Sequence, residues 1–388
     1  MWYFRSPHIV FGEDALSHLD QITGRRAFIV TDPVMQELGF VKLVQERLDV
    51  AGIKSAVFSQ VEPESSLETV HCCAEAMLAY QPDWIVGLGG GSCMDTAKAA
   101  WFLYERPDLE LEAMNPLDHF GLRAKARLVT IPTTAGSGSE VSQAAVITDK
   151  ASRRKLELAS FEIVADLTIV DPRFSTRMPG RLTADTGLDA LTHVVEAYNN
   201  NWTNDFTDGL CLQATRMIFT YLPRAVEHGE TDFEAREKMA NAATIAGLAI
   251  CNSNISLAHA MSHSAGAVFH LSHGRVTAFL LPYTIEFTAN GGMGRYLDLA
   301  RMIDLSVEDE EQAACSFASA LRDLIQRVGG PVSFAGLGVS RGQFDMELEA
   351  MCDRAEIDLG MVMARRMPDR DELRKLYTYA YEGRVIDF

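Results

Sequence analysis

Four of the chain's ten histidines, His259, His263, His270 and His273, fall in the run LAHAMSHSAGAVFHLSHG between Leu257 and Gly274. The background is small and apolar, without the charged residues of a solvated surface. His259 and His263 are four apart in the Ala-, Leu-, Ile- and Met-rich, proline-free stretch Ile245 to Phe269, which places both on one helix face within reach of one cation. Upstream, TGLDALTHVVEAY sets Asp189 and His193 four apart in a second helical pattern. Acid and imidazole ligands projecting from facing helices are how helical bundles build metal sites in their cores. A lone histidine is more often an ordinary core or surface residue. Two such pairs, followed by His273 and Gly274, favour a metal.

Two other stretches suit an anionic or hydroxyl-bearing ligand. Gly89, Gly90, Gly91 and Ser92 follow the predicted strand Trp84–Leu88 and open a helix as GGGSCMDTAK. Glycines let the backbone approach a ligand closely, and the N–H groups of a helix start attract a pyrophosphate. Asp95, three residues after Ser92, is expected to turn back onto this loop as the acid of a capping box does. A second predicted strand, Arg127–Ile131, runs into PTTAGSGSE, where Thr133, Thr134, Ser137 and Ser139 supply hydroxyls. Two such loops at the carboxyl ends of parallel strands mark the ligand crevice of an open α/β sheet. The pattern differs from the usual dinucleotide fingerprint, because the glycines come late. Asp32, ending the early strand RAFIVT, either accepts from an adenosine ribose or caps the helix beginning near Pro33.

The elements that position these groups alternate through the first half. Strands are expected at Arg26–Thr31, Lys54–Phe58, Trp84–Leu88 and Arg127–Ile131, and helices at Val34–Ala51, Leu67–Tyr80 and Cys93–Tyr104. That cadence means a parallel sheet with helices on both faces. From about Thr183 strand signals stop and successive helices follow. Pro172, Pro179 and Gly180 break periodicity between Asp171 and Leu182, so a hinge is expected there. The reading is an α/β domain over 1–180 and an all-helical domain over 181–388.

Composition sets the bounds. With 388 residues and 47% hydrophobic content the chain has material for two domains and a large core. A net charge of −18 excludes nucleic acid and anionic membrane surfaces as partners. Seven cysteines without a CxxC pair argue against a disulfide framework and for a reducing, cytoplasmic setting. No signal-peptide pattern opens the sequence, and no apolar run approaches the length of a membrane span.

GGGSCMDTAK, IPTTAGSGSE, GLDALTH and HAMSH with the later HG, in that order, resemble the iron-containing (group III) alcohol dehydrogenase family over essentially the whole chain. WFLYERPDLE resembles the alcohol dehydrogenase part of bifunctional aldehyde/alcohol dehydrogenases. The resemblance implies a Rossmann-like dinucleotide-binding α/β domain and a helical metal-binding domain with the active site in the cleft between them, in a homo-oligomer, expected as a dimer. It implies metal ligands at Asp189, His193, His259 and His273, with His263 as a nearby catalytic histidine, whereas spacing alone would have made His263 a ligand. His270 matches no family role and reads as a helix-end or cleft residue. Cofactor-binding residues fall on Asp32, Gly89, Gly90, Gly91, Ser92, Asp95, Thr133, Thr134 and Ser137, and on Lys155 in RRKLELAS. Thr277 stands where the family commonly has Asn, and Arg365, Arg366, Met367 and Pro368 replace an NPR-like segment. The expected activity is hydride transfer between NAD(H) and a small primary alcohol or aldehyde, with Fe²⁺ or Zn²⁺ as Lewis acid. A metal-dependent hydrolase or lyase acting on a phosphorylated substrate is the alternative.

Overall fold

The computed structural model describes residues 3–151 and 154–388, and the chain divides into two compact units at Arg177 and Met178. In the first unit, strands β1 (His8–Phe11), β2 (Arg26–Val30), β3 (Lys54–Phe58), β4 (Trp84–Gly89), β5 (Arg127–Pro132) and β8 (Leu167–Val170) form one sheet in the order β1-β8-β5-β4-β2-β3. Every pairing in it is parallel. Strands β6 (Ala144–Asp149) and β7 (Arg154–Ala159) form a separate antiparallel pair. Helices α1 (Pro33–Glu37), α2 (Phe40–Val50), α3 (Leu67–Tyr80) and α4 (Gly91–Glu105) connect the strands.

The sheet is buried on both faces, which is why its central strands read as continuous apolar runs. Side chains alternate. Ile29, Trp84, Val86, Leu88 and Val129 enter a core shared with Val41, Val44 and Leu48 of α2. Phe28, Val30, Ile85 and Leu128 enter another shared with α3 and α4. Gly87 lets α4 settle on the sheet, since a Cβ there would stand 3.3 Å from the Cα of Met94.

The helix expected over Val34–Ala51 is in fact two. Gly39, at φ 78°, takes a left-handed conformation between α1 and α2 that stops the first and starts the second. Strands β1, β6, β7 and β8 were not expected. The two sheet members among them are only four residues long and alternate too briefly to stand out.

The second unit is helical, with α5 (Gly180–Asn199), α6 (Asp205–His228), α7 (Phe233–Cys251), α8 (Leu257–Phe269), α9 (His273–Asn290), α10 (Leu297–Met302), α11 (Glu310–Arg327), α12 (Arg341–Glu356), α13 (Leu359–Met363) and α14 (Arg370–Glu382). The proline-free stretch Ile245 to Phe269 is interrupted between Cys251 and Leu257. The polar run Asn252, Ser253 and Asn254 supplies local alternatives to the helical ladder, with Asn252 Nδ2 bonding back to Leu248 O and Asn254 Oδ1 accepting from Ile255 N. Leu257, Met261, Phe279, Tyr283, Phe334 and Tyr377 anchor the core behind α8 and α9.

Candidate metal centre and ligand loops

Helix α5 presents Asp189 and His193 on its buried face, and α8 presents His259, with exposures of 6%, 6% and 2%. The three offer ligand atoms lying within 4.8 Å of one another. Asp189 Oδ1 is the hub: it stands 4.0 Å from His193 Nε2, 3.9 Å from His259 Nε2 and 3.6 Å from His273 Nε2. Ligands at metal bond lengths of about 2.0–2.2 Å in a tetrahedron are roughly 3.4 Å apart, close to these separations. Asp189 Oδ1 and His259 Nε2 are buried with no hydrogen-bond partner among the described residues. Two orphaned atoms of that kind, an acceptor and an imidazole nitrogen aimed at it, are costly unless a cation occupies the space between them. Three imidazoles and a carboxylate suit Fe²⁺ or Zn²⁺.

Electrostatics supports the same assignment. Burial, with His193 alongside, pushes the His259 pKa well below its usual value although Asp189 opposes this, so the imidazole is neutral, as a ligand must be.

His273 reaches the hub because of how α8 ends. His270 closes α8 in the left-handed region, at φ 53° and ψ 45°, with its N–H on Gly266 O. The chain turns through Leu271 and Ser272, and His273 opens α9. Gly274 follows at a close approach to α5, where a Cβ would fall 2.3 Å from Asp185 O and 3.0 Å from Asp189 Cβ. The HG pair thus supplies an imidazole beside Asp189 and the gap that admits it. Thr277 ties the two helices, donating to Ser262 Oγ of α8 at 2.8 Å. His263 lies beside the cluster, its ring 5.2 Å from that of His273 and nearly parallel to it. Its Nδ1 is 2.8 Å from Asp358 Oδ2.

In the first unit the two loops meet. Gly89 has φ 147°, and a Cβ there would strike Cys93 Sγ at 2.5 Å. Cβ atoms at Gly90 and Gly91 would come to 3.4 Å from Thr134 and 3.2 Å from Ser137. Thr134 and Ser137 reach the surface of the loop, whereas Thr133 is buried, its N–H bonded to Gly89 O. Strand β2 pairs with β4, which brings Asp32 beside Gly89. Asp32 Oδ1 caps α1 by accepting from Met35 N at 3.0 Å, while Oδ2 stands 3.4 Å from Cys93 Sγ. Capping and a place at the loop are therefore compatible.

The capping box expected of Asp95 is not formed. Gly90, not Ser92, is the N-cap of α4, so Asp95 lies too far into the helix to reach the first N–H groups. Its carboxylate instead accepts from Ser139 Oγ and Val146 N, bracing the second loop. Ser92 Oγ donates to Pro63 O. Lys155 is exposed on β7, with Nζ 4.0 Å from Glu64.

Sequence reasoning passed over Lys98, Glu196 and Asp358. Lys98 is fully buried on α4, and Nζ donates to the carbonyls of Ser139, Ser142 and Ala144 at 2.6, 2.9 and 3.0 Å. A lysine inside the apolar run TAKAAWF was the available signal. Glu196 sits seven residues after Asp189, on the same helix face, which spacing would have shown. Asp358 is too distant in sequence from His263 for any pattern to join them.

A profile described as iron-containing alcohol dehydrogenase matches residues 6–172, and one described as the C-terminal part of the Fe-containing alcohol dehydrogenase family matches 183–381. The chain belongs to the iron-containing alcohol dehydrogenase family. It is similar to the NADPH-dependent butanol dehydrogenase of Clostridium saccharobutylicum, at 36% identity over 382 residues and 98% of each chain. The aldehyde-alcohol dehydrogenase of Streptococcus pneumoniae is also 36% identical, across 96% of this chain but 45% of that protein. Among solved structures, the iron-containing alcohol dehydrogenase of Thermococcus thioreducens superposes with a TM-score of 0.89 at 30% identity, covering 99% of this chain and 100% of that one. This dehydrogenase is therefore an oxidoreductase acting on alcohols, and the hydrolase or lyase alternative falls. Among the described residues no helix is long and apolar enough to cross a membrane.

Proposed function

We propose that the dehydrogenase interconverts a small primary alcohol and its aldehyde with NAD(H), using one divalent cation held by Asp189, His193, His259 and His273. The observation that carries this reading is the buried Asp–His cluster in which Asp189 Oδ1 and His259 Nε2 face each other without a hydrogen-bond partner among the described residues. When bound, the cation polarises the substrate oxygen and the nicotinamide carries the hydride.

The chain's own residues supply position and proton control. The N–H groups at the start of α4, exposed by Gly90 and Gly91, suit the pyrophosphate, and the hydroxyls of Thr134 and Ser137 suit the neighbouring ribose or carboxamide. Thr133 and Asp95 hold the shape of that site from behind. Lys155 is proposed to reach the nicotinamide ribose, and Asp32 the adenosine ribose. His263, with Nδ1 directed at Asp358, exchanges a proton with the substrate oxygen at Nε2. Seven free thiols suit a reducing, cytoplasmic setting, and the assembly is proposed to be a homodimer.

The test is a chelator-stripped enzyme reloaded with Fe²⁺ or Zn²⁺ and offered a panel of small aldehydes with NADH. Metal-dependent loss of NADH absorbance is expected. Turnover that survives complete metal removal would refute the reading.

A further inference from the structure

Glu196 is wholly buried on α5, one face-repeat beyond Asp189 and His193, and three N–H groups converge on its carboxylate. Oε2 accepts from Ser256 N at 2.7 Å and lies 2.6 Å from His259 Nδ1, while Oε1 accepts from Ala258 N at 2.6 Å. Ser256, the N-cap of α8, has no side-chain bond of its own to the helix start. A carboxylate from another helix thus does the work of the cap, where an anion also meets the positive end of the helix dipole.

The same carboxylate faces the back of His259. The backbone N–H groups on both oxygens favour the ionised carboxylate, which can only accept, and in that form the proton of the short contact belongs on Nδ1. The lone pair of the neutral imidazole is then left on Nε2, the atom that is 3.9 Å from Asp189 Oδ1 and has no partner. Without Glu196 the ring has no fixed tautomer, and the Nε2–H form presents a proton where a ligand atom is required.

We propose that Glu196 is a positioning residue for the metal centre: it selects the metal-binding tautomer of His259 and, through the same two oxygens, locks the first turn of α8 to α5. One side chain thereby sets both the chemistry of the His259 nitrogen and its distance from the ligands on α5. The proposal rests on the metal-centre reading given above.

The experiment compares metal-free wild type with Glu196→Gln, titrated with Zn²⁺ against a chromophoric chelator. Glutamine keeps the size but offers an NH₂ where the carboxylate accepts, so at least one of the three donors loses its acceptor. Zn²⁺ affinity is expected to fall about 10- to 100-fold, the range seen when an outer-shell partner of a metal-bound histidine is removed. In ¹⁵N spectra of histidine-labelled protein, His259 is expected to be the Nδ1–H tautomer in wild type and a mixture in the variant, a change that mere loosening of the fold does not produce. An unchanged affinity together with an unchanged tautomer overturns the proposal. If Glu196→Gln does not fold, the wild-type spectrum decides: an Nε2–H tautomer at His259 in the metal-free protein overturns it. His259→Ala in the same titration separates the two readings, because retention of a full equivalent of Zn²⁺ there means that the metal centre itself is misassigned.

Discussion

Replacing Gly274 by alanine tests whether the contact between α5 and α9 sets the metal geometry. The added Cβ would lie 2.3 Å from the backbone oxygen of Asp185. A carbon beside a carbonyl oxygen needs roughly 3.3 Å, so α9 must withdraw from α5 by about 1 Å, since neither contact partner is a flexible side-chain end. Overpacking of this kind costs about 1–3 kcal/mol. For a unit the size of the helical one, each kcal/mol lowers Tm by roughly 2–4 °C. The same shift carries His273 away from Asp189, now 3.6 Å distant at the nearest atoms, and four-ligand geometry leaves little room for it. The assay is thermal melting with and without Zn²⁺, together with a chelator competition. Gly274→Ala is expected to melt lower without metal and to gain less from adding it. Gly266→Ala is the control, because its Cβ would find only Leu271 O, at an ordinary 3.7 Å, and alanine favours a helix interior by about 1 kcal/mol. A Gly274→Ala protein with wild-type melting and wild-type Zn²⁺ affinity would refute the reasoning.

Asp32→Gly should narrow or reverse a preference for NAD over NADP in kcat/KM, since a carboxylate there repels a 2′-phosphate and no Arg or Lys lies between Thr31 and Val41. Lys42 offers no compensation, being paired with Glu46 at 3.8 Å, and glycine as N-cap should cost only a few tenths of a kcal/mol. An unchanged nucleotide ratio would count against Asp32. His263→Ala should keep its metal and lose about 10²- to 10⁴-fold in rate, whereas metal lost in step with activity would make it a ligand. Glu62 accepts from Ser66, Thr69 and Lys150, and although burial opposes ionisation these bonds hold its pKa at about 2, below the ordinary 4.5. A depressed folded pKa means stability that is present above pH 4.5 and lost as pH falls toward 2. Glu62→Gln should therefore flatten the acid limb of a Tm-against-pH curve between those values, and an identical curve would contradict this.

What the sequence made legible was local and periodic. The four-residue spacings of Asp189–His193 and His259–His263 identified two helix faces, and glycines directly after a buried strand identified the turn from β4 into α4. What it left hidden depends on approach between distant segments. The approach of His273 to Asp189 turns on the left-handed cap at His270, which periodicity does not encode; only the family resemblance pointed to His273. Asp95 was misplaced because a helix can begin at a glycine, with no side chain to signal the cap. The break at Gly39 was missed because the apolar pattern continues on both sides of it.

Lys98 leaves a practical consequence. Its ammonium is bonded to three carbonyls that belong to the second ligand loop and the strand after it, while its own helix begins with the first loop. The two loops are therefore one mechanical part held by the chain's own bonds, and for the nucleotide proposed above, ordering them should add little to the entropic cost of binding. Grafting the GGGS loop alone onto another scaffold should give a floppy imitation. A graft that carries Gly89 to Lys98 together with Thr133 to Val146 transplants the brace along with the site.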